Sequence, residues 1–399
     1  MKLQILVLVT LSCSALAYNG CSERSALIKV KGPAYDFSIQ LLQRIVQDTD
    51  EHFVYSPMST WLQLSALAEG AKDATFREIW NVTRHLRNKC LKKRFAKTIA
   101  HLNRGLSFEK KQKSVLMLDS MMGIKRSFID HVERLYGIKV LMLDFNNGRD
   151  SARIVNNVIE HGTGGKIDAT MYEDDFIQTV MLFSDANYFR SNWDIPFNSA
   201  NIQSFYSSEG KDLGAVSMMN LQAYFNLLDF PHIGAKVLEI PFAKRNLSML
   251  IFMPLVEQSW IGEIFYKLQR TRLRSIFNLY KQNEKKLVNV TIPKFKLRTE
   301  IDNLSELIYD MRIKRIFSPD KSELNGISNS RMYLSLMTQV TDIDVNEDGV
   351  TASAQFLSKN DTSTEFVANK PFVYMVYDKI REFILYAGVY SKPTAWRKY

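Results

Sequence analysis

Histidine, cysteine and serine side chains are the first candidates for chemistry in this chain of 399 residues. No two of the six histidines stand at a zinc-binding spacing such as H-E-x-x-H, and the cysteines are too far apart to form a metal-binding pair. The histidines are His52, His85, His101, His131, His161 and His232. The G-x-S-x-G motif, which presents a serine nucleophile in many hydrolases, does not occur. We therefore expect no enzyme activity, no metal and no cofactor.

A different kind of chemistry is indicated near the C-terminus, where residues 346–372 have the composition of an exposed loop. The segment opens with Glu347, Asp348 and Gly349. Four apolar residues then alternate with polar ones: Val350, Ala352, Ala354 and Phe356. A half-buried strand needs this period of two, because successive side chains point to opposite faces. The pattern fits either a plain loop or a loop that can also serve as a strand.

Several short motifs, in a fixed order along the chain, match those of one known family. They are residues 55–59 (Tyr-Ser-Pro-Met-Ser), 188–197 (Tyr-Phe-Arg-Ser-Asn-Trp-Asp-Ile-Pro-Phe), 239–242 (Glu-Ile-Pro-Phe), 292–295 (Ile-Pro-Lys-Phe), 324–327 (Leu-Asn-Gly-Ile) and 369–372 (Asn-Lys-Pro-Phe). With residues 346–372, they make the chain resemble the serpins, a family of serine protease inhibitors, from about residue 34 to 393.

The resemblance implies an α+β fold with a large mixed central sheet, further sheets and an exposed reactive-centre loop at about 347–368. In this family a protease cleaves the loop, and the hinge half then inserts into the main sheet as a new strand while the protease is trapped. The implied hinge residues are Glu347, Gly349, Val350, Ala352 and Ala354, and Trp193 is placed in the region called the breach. Inserted side chains that face the core must be small or apolar and uncharged, and Val350, Ala352, Ala354 and Phe356 meet this demand.

Three departures from the family pattern point the other way. Gly349 to Asn369 spans a few residues less than in typical inhibitors. The implied sheet-opening cluster is Ser56, Asp185 and Gln339, and a carboxylate in a buried network is costly unless it is protonated or paired. A glycan on Asn360 would obstruct a protease. Two functions follow: a secreted inhibitor, or a non-inhibitory binding or carrier protein.

The position of the cleaved bond depends on how the spacing is counted. Family spacing from Gly349 points near Ser363, whereas counting back from Asn369 points near Asn360. Lys359 is the only cation between Val350 and Asn369. The sequence therefore suggests a trypsin-like protease that cuts after Lys359, if inhibition occurs; an exposed lysine without specificity is the alternative.

A basic stretch lies between residues 79 and 108, which contain eight Lys and Arg residues and no acid. Five of the bases form a candidate site for sulfated polysaccharide: Arg87, Lys89, Lys93, Arg94 and Lys97. Lys89, Lys93 and Lys97 would share one face of a helix. The position resembles a helix on which some serpins bind glycosaminoglycans. An ordinary solvated face is the alternative interpretation.

Residues 1–17 read as a signal peptide, with an apolar run behind Lys2 and a small-residue cleavage site at Ala15-Leu16-Ala17. We expect residues 18–399 to form one secreted serpin domain, monomeric, with no membrane span and no nucleic-acid partner. Loss of Lys2 lowers the formal net charge from +10 to +9. Cys13 leaves with the signal, and sequence alone cannot show whether Cys21 and Cys90 pair. Five asparagines stand in glycosylation sequons: Asn81, Asn246, Asn289, Asn303 and Asn360.

The elements that must position these residues divide along the chain. Helical periodicity predicts an amphipathic helix at 34–46 and a buried helix that begins at Pro57, with Ser56 as its cap. From residue 179 onward, apolar and alternating runs predict strands, the first of them buried on both faces. Helices concentrated early and strands late indicate an α+β architecture.

Overall fold

The structure is a computed structural model and describes residues 20–198, 200–244, 246–350 and 362–394. Its helices are α1 (Glu23–Asp48), α2 (Pro57–Leu67), α3 (Asp73–Thr83), α4 (Lys89–Gly105), α5 (Arg126–Tyr136), α6 (Gly148–Thr163), α7 (Glu263–Arg270), α8 (Leu273–Gln282) and α9 (Leu304–Asp310). Its strands are β1 (Phe53–Tyr55), β2 (Lys110–Asp119), β3 (Lys139–Leu143), β4 (Met181–Arg190), β5 (Asn201–Tyr206), β6 (Asp212–Phe230), β7 (Ala235–Pro241), β8 (Leu247–Pro254), β9 (Lys286–Pro293), β10 (Phe295–Ile301), β11 (Leu336–Val345), β12 (Thr364–Val367), β13 (Phe372–Asp378) and β14 (Phe383–Tyr390).

The long first helix begins eleven residues before the predicted one. Ser22 caps it, since its hydroxyl accepts a hydrogen bond from the backbone N–H of Ser25 at 3.0 Å. Pro33 lies inside the helix, and the buried side chains continue on both sides of it, from Ala26 to Val46. The apolar periodicity that predicted residues 34–46 therefore marks only the most buried part of α1.

A five-stranded mixed sheet positions the predicted functional residues. Its order is β10-β11-β4-β2-β3, and the central pair, β11 and β4, runs parallel while β4 and β2 run antiparallel. Helix α6 covers one face, where Val155 and Ile159 pack against Val115 and Met117 of β2. As predicted, β4 is buried along nearly its whole length.

The remaining strands form a second sheet in the order β1-β14-β13-β8-β7-β6-β9-β12, with β5 paired to β6. Residues 369–372 lead into β13, an interior strand that pairs with β14 on one side and β8 on the other. Gly388 of β14 permits close approach of β1, because a Cβ at this position would collide with the carbonyl oxygen of Phe53. The α+β prediction is confirmed, although α7, α8 and α9 lie among the later strands rather than early in the chain.

A disulfide joins Cys21 to Cys90, with the two Cα atoms 6.1 Å apart. It connects the residue before the cap of α1 to the first turn of α4. In the described ranges, no helix is long and apolar enough to cross a membrane. The predicted signal peptide lies outside the described residues.

Candidate functional site

The hinge segment, residues 346–350, continues from the end of β11 and is already paired with the chain that follows β4. The backbone N–H of Trp193 donates to the carbonyl of Asp348 at 2.8 Å, and the N–H of Val350 donates to the carbonyl of Trp193 at 3.1 Å. The N–H of Phe197 donates to the carbonyl of Glu347 at 3.0 Å. The hinge is therefore held beside the ends of β4 and β11.

The buried side chain of Trp193 packs next to the hinge segment. Its ring is buried and stacks on Phe242 with ring centres 4.6 Å apart. Its indole N–H donates to the carbonyl of Asn346 at 2.6 Å. Gly349 is required by the close approach of Pro196, because a Cβ at residue 349 would collide with the Pro196 backbone. The structure thus brings three of the sequence-predicted residues, Trp193, Glu347 and Gly349, to one place.

Two ion pairs hold the acidic side chains of the hinge. Lys294, between β9 and β10, lies 2.8 Å from a carboxylate oxygen of Glu347, and Arg190 at the end of β4 lies 2.6 Å from Asp348. Burial alone would raise the pKa of Glu347, but the hydrogen bond and charge of Lys294 outweigh it and lower the pKa. Glu347 is therefore anionic at neutral pH, and its ion pair connects the hinge to the residue that joins β9 to β10.

Strands β4 and β11 are hydrogen-bonded to each other along a seam that runs from Leu182 and Leu336 to Arg190 and Asp344. No strand lies between them, so the five-stranded sheet is closed. A loop that inserts as a strand must part this seam.

The predicted sheet-opening cluster lies across this seam, beneath the start of α2. Gln339 of β11 accepts from the backbone N–H of Ser56 at 2.8 Å and donates to the carboxylate of Asp185 on β4 at 3.2 Å. Ser56 occupies the N-cap position of α2, as predicted, but its hydroxyl makes no capping hydrogen bond, because it contacts Ser59 and donates to the carbonyl of Leu385. The structure brings Ser56, Asp185 and Gln339 together, with Gln339 as the bridge.

Asp185 is fully buried, yet both of its carboxylate oxygens are hydrogen-bonded. Oδ1 accepts from Ser114 and from Gln112 at 3.3 Å, while Oδ2 accepts from Asn187 at 2.5 Å and from Gln339. Burial raises the pKa of Asp185, and these donors together with the charge of Lys110 act in the opposite direction. A buried carboxylate is costly unless it is protonated or paired, and these four hydrogen-bond donors provide the pairing.

Sequence reasoning missed three members of this cluster: Gln112, Ser114 and Asn187. The available signal was the period of two, which places Gln112 and Ser114 on one face of β2 and Asp185 and Asn187 on one face of β4. Their pairing depends on register, since Gln112 lies opposite Asn187 and Ser114 opposite Asp185.

A second buried acid on the seam, Asp342 of β11, was not predicted. It lies between Arg298 of β10 and Tyr188 of β4, and Arg298 approaches only to 3.9 Å. Burial raises the pKa of Asp342 to about 6, although the charges of Arg298 and Lys296 oppose this. A group whose pKa is raised by folding stabilises the protein below its unfolded pKa and loses that contribution as the pH rises through 6.

We therefore expect Asp342→Asn to stabilise the native protein at pH 8 and not at pH 4. Raising the pKa from 3.8 to about 6 corresponds to about 3 kcal/mol at pH 8. Thermal unfolding followed by circular dichroism at both pH values measures the effect. Asp344→Asn is the matched control, because Asp344 is on the same strand and pairs with Arg190 at 3.7 Å. A gain of equal size at pH 4 and pH 8 would contradict the assigned titration.

Within the basic stretch, residues 89–105 form helix α4, as the spacing of Lys89, Lys93 and Lys97 predicts. Lys89, Lys93 and Lys97 are exposed along one face, whereas Arg94 is half-buried. Arg87 precedes the helix and stacks over the rings of Phe76 and Trp80. Three of the five candidate bases thus form a continuous exposed row, with Arg87 exposed beside its start.

The sequons differ in accessibility. Asn81 and Asn246 are exposed, and Asn246 lies in a turn. Asn289 and Asn303 are half-buried and donate to Glu365 and Asp48. Asn360 lies outside the described residues, as do Ala352, Ala354 and Lys359.

The far end of the loop region is fixed by β12, which pairs with β9 from Thr364 to Val367. Ser363 is exposed and lies immediately before this strand. Groups of three or more potential metal-binding side chains are absent from the described ranges.

Comparison with known proteins agrees with this architecture. A family model for serpins (serine protease inhibitors) matches residues 33–393. Human Serpin B3 is 26% identical over 385 residues, which cover 90% of this chain and 97% of that protein. The crystal structure of maspin superposes with a TM-score of 0.83 at 25% identity, over 92% of this chain and 100% of maspin. Native protease nexin-1 with heparin shares the fold, with a TM-score of 0.80 at 20% identity over 92% of this chain and 100% of that chain.

A closed mixed sheet with a hinge at the end of its central seam, together with these matches, defines a protease-inhibitor-type fold. The chain belongs to the serpin family. The resemblance and the serpin fold predicted from the sequence are confirmed.

Proposed function

We propose that this protein is a secreted serpin that inhibits serine proteases as a suicide substrate. The observation that carries the proposal is the position of the hinge at the end of the closed seam between β4 and β11. A loop that leaves β11 at its C-terminal end must reverse direction to return along the seam. The inserted strand would then run antiparallel to both β4 and β11.

This geometry supplies a driving force for insertion. The seam is a parallel pair, and insertion would replace it with two antiparallel pairs. Antiparallel pairing is slightly more stable per residue, and the second pair adds backbone hydrogen bonds that the closed sheet lacks. The energy released by this transition is available to distort a protease that is still attached to the loop.

The structure of β12 favours Lys359 over Ser363 as the residue before the cleaved bond. Cleavage after Ser363 would require the protease to hold Thr364 and the residues after it, which are already paired with β9. Lys359 and Asn360 precede this strand by at least four residues, so a protease can bind an extended segment around them. We therefore propose a trypsin-like target.

Trypsin is expected to form a complex that survives denaturing gel electrophoresis, in which the carbonyl carbon of Lys359 stays esterified to the trypsin serine while the C-terminal fragment, which begins at Asn360, is released. Lys359→Gln is expected to abolish the complex, because trypsin requires a cationic side chain at this position. Lys370→Gln is the matched control, since Lys370 lies in the same region but beyond β12 and pairs with Glu257. Cleavage at Lys359 without any complex would contradict inhibition of this protease.

A second function, binding of sulfated polysaccharide, is favoured by the exposed row Lys89, Lys93 and Lys97. The fold relative protease nexin-1 was solved with heparin. In this chain the exposed row of lysines on α4 supports binding of a sulfated polysaccharide. Such binding is compatible with an inhibitor and with a non-inhibitory carrier.

Replacing Lys89, Lys93 and Lys97 together by Gln is expected to weaken heparin binding about tenfold, since three exposed ion pairs contribute roughly 0.5 kcal/mol each. Affinity measured by surface plasmon resonance at 0.15 M salt tests this. A variant with Gln at Lys281, Lys285 and Lys286 has the same net charge and is the control, because these lysines are exposed on another segment. Equal weakening in both variants would indicate a response to net charge alone.

Secretion is part of the proposal. It is supported by the signal-like residues 1–17 and by the disulfide between Cys21 and Cys90, because disulfides form and persist in oxidising compartments. The exposed Asn81 and Asn246 are the glycosylation sites we expect to be used.

A further inference from the structure

A polar cavity of about 310 Å³ lies at the edge of β2, away from the hinge and from the exposed face of α4. Its wall combines the end of α4, the start of β2, the end of α5 and one residue of α6. Seven of the residues that line it carry side-chain hydrogen-bond donors: Asn103, Ser107, Lys110, Lys111, Gln112, Ser114 and Tyr136. The volume is at the lower end of the range for small-molecule sites in proteins.

Lys110 is a cation of this cavity whose own hydrogen bonding is weak, although its charge also favours the ionised form of Asp185. Its side chain is half-buried, and its Nζ donates a long hydrogen bond of 3.4 Å to the amide oxygen of Asn103. Among the described residues, no carboxylate lies within 4.0 Å of Lys110. Burial lowers the pKa of Lys110 to about 8, although the charge of Asp185 opposes this. An ammonium group in such a place is destabilised until an anion joins it.

The other donors are arranged around the same space. Lys111 contacts the carbonyl of Ser107, which places a second ammonium group at the cavity wall. None of the described residues that line the cavity is an aspartate or a glutamate. The lining of the cavity therefore presents two cations, three hydroxyl groups and two amide groups. The carboxylate of Asp185 lies behind Gln112 and Ser114, which donate to it.

We propose that this cavity is a binding site for a small polyanion that carries phosphate or carboxylate groups, with Lys110 as its principal contact and Lys111, Ser107 and Asn103 as further donors. Charge-assisted hydrogen bonds to phosphate and carboxylate oxygens are among the strongest that proteins make. The site is distinct from the polysaccharide surface, because Lys89, Lys93 and Lys97 do not line the cavity.

The cavity also adjoins the cluster at the seam. Gln112 and Ser114 line the cavity and at the same time donate to the carboxylate of Asp185. An anion that draws either donor toward itself removes a hydrogen bond from Asp185. Occupancy of the site is thus linked to the network that must rearrange when the seam parts.

Isothermal titration calorimetry with inorganic pyrophosphate, on the full secreted chain at pH 7 and 0.15 M salt, tests the proposal. We expect saturable binding, and we expect Lys110→Gln to weaken it by about tenfold, the loss of one charge-assisted contact. Ser107→Trp is a second variant, because residue 107 is exposed at the mouth of the cavity and a large ring there obstructs entry while both lysines remain. It is expected to abolish binding.

Lys93→Gln and Lys97→Gln are the controls, and each should bind pyrophosphate within about twofold of the wild type. Loss of affinity in these variants equal to that in Lys110→Gln would mean that pyrophosphate binds the exposed face of α4, and it would overturn the proposal. The absence of saturable binding in the wild type, or unchanged binding in Ser107→Trp, would overturn it as well. The assay does not involve a protease, so its outcome is independent of the inhibitory function.

Discussion

Cleavage of the reactive-centre loop by trypsin is expected to raise the melting temperature of the protein on the order of 10 °C or more. The seam that must open is nine residues long on each strand, from Leu182 to Arg190 and from Leu336 to Asp344. Insertion of the loop would exchange one pair of strands for two, a gain of roughly nine backbone hydrogen bonds. At about 1 kcal/mol net for each bond, the gain is about 9 kcal/mol. In a protein of this size, each kcal/mol changes the melting temperature by roughly 1–2 °C.

The measurement is differential scanning calorimetry of intact and cleaved protein, with the cleavage point identified by mass spectrometry. Ala354→Glu is the informative variant. The alternation that begins at Val350 directs residue 354 toward the protein interior after insertion, and an unpaired carboxylate there is too costly to bury. Because glutamate does not create a trypsin site, this variant should be cleaved at the same bond as the wild type and show no rise. Ser353→Glu is the matched control, because the neighbouring residue points to the opposite face.

Each result has a distinct meaning. A rise in the wild type that Ala354→Glu abolishes indicates insertion through the seam. A rise without a protease complex would show that the loop inserts but is too short or too slow to trap the protease. No rise after complete cleavage would contradict insertion, and the exposed row on α4 would then be the stronger basis for function.

Removal of the disulfide is expected to destabilise the protein by about 4 kcal/mol. Cys21 and Cys90 are separated by 69 residues, and the entropy lost by the unfolded chain when a loop of this length is closed corresponds to about that value. The closed loop contains α1, β1, α2 and α3. The disulfide also fixes the first turn of α4, where Asn88 caps the helix by accepting from the N–H groups of Cys90 and Leu91.

The double variant Cys21→Ser with Cys90→Ser avoids an unpaired thiol, and urea unfolding compares it with the wild type. Reduction of the wild type should reproduce the loss, whereas reduction of the double variant should have no effect. Amide hydrogen exchange in α4 provides a further measurement, since residues 89–93 should exchange faster in the double variant than in the wild type. A loss below about 1 kcal/mol in both experiments would mean that the contacts between α1 and α4 already hold the two segments together.

The sequence by itself determined the features that depend on residues near one another in the chain. The period of two from Val350 onward, the basic spacing of Lys89, Lys93 and Lys97 and the apolar run of β4 each predict a local structure, because side-chain direction follows directly from helix or strand geometry. The ordered motifs also identified the family, and through it the hinge and the positions of Ser56, Asp185 and Gln339.

Only the tertiary structure decided which distant residues meet. The donors that satisfy Asp185 come from β2, β4 and β11, and their contacts depend on strand register that no local pattern specifies. The pairing of Cys21 with Cys90, the buried position of Asp342 and the polar cavity around Lys110 depend in the same way on packing between separate elements. Burial and distance arise when the chain has folded, and these two quantities set the pKa of a carboxyl group, the closure of a disulfide and the shape of a binding site.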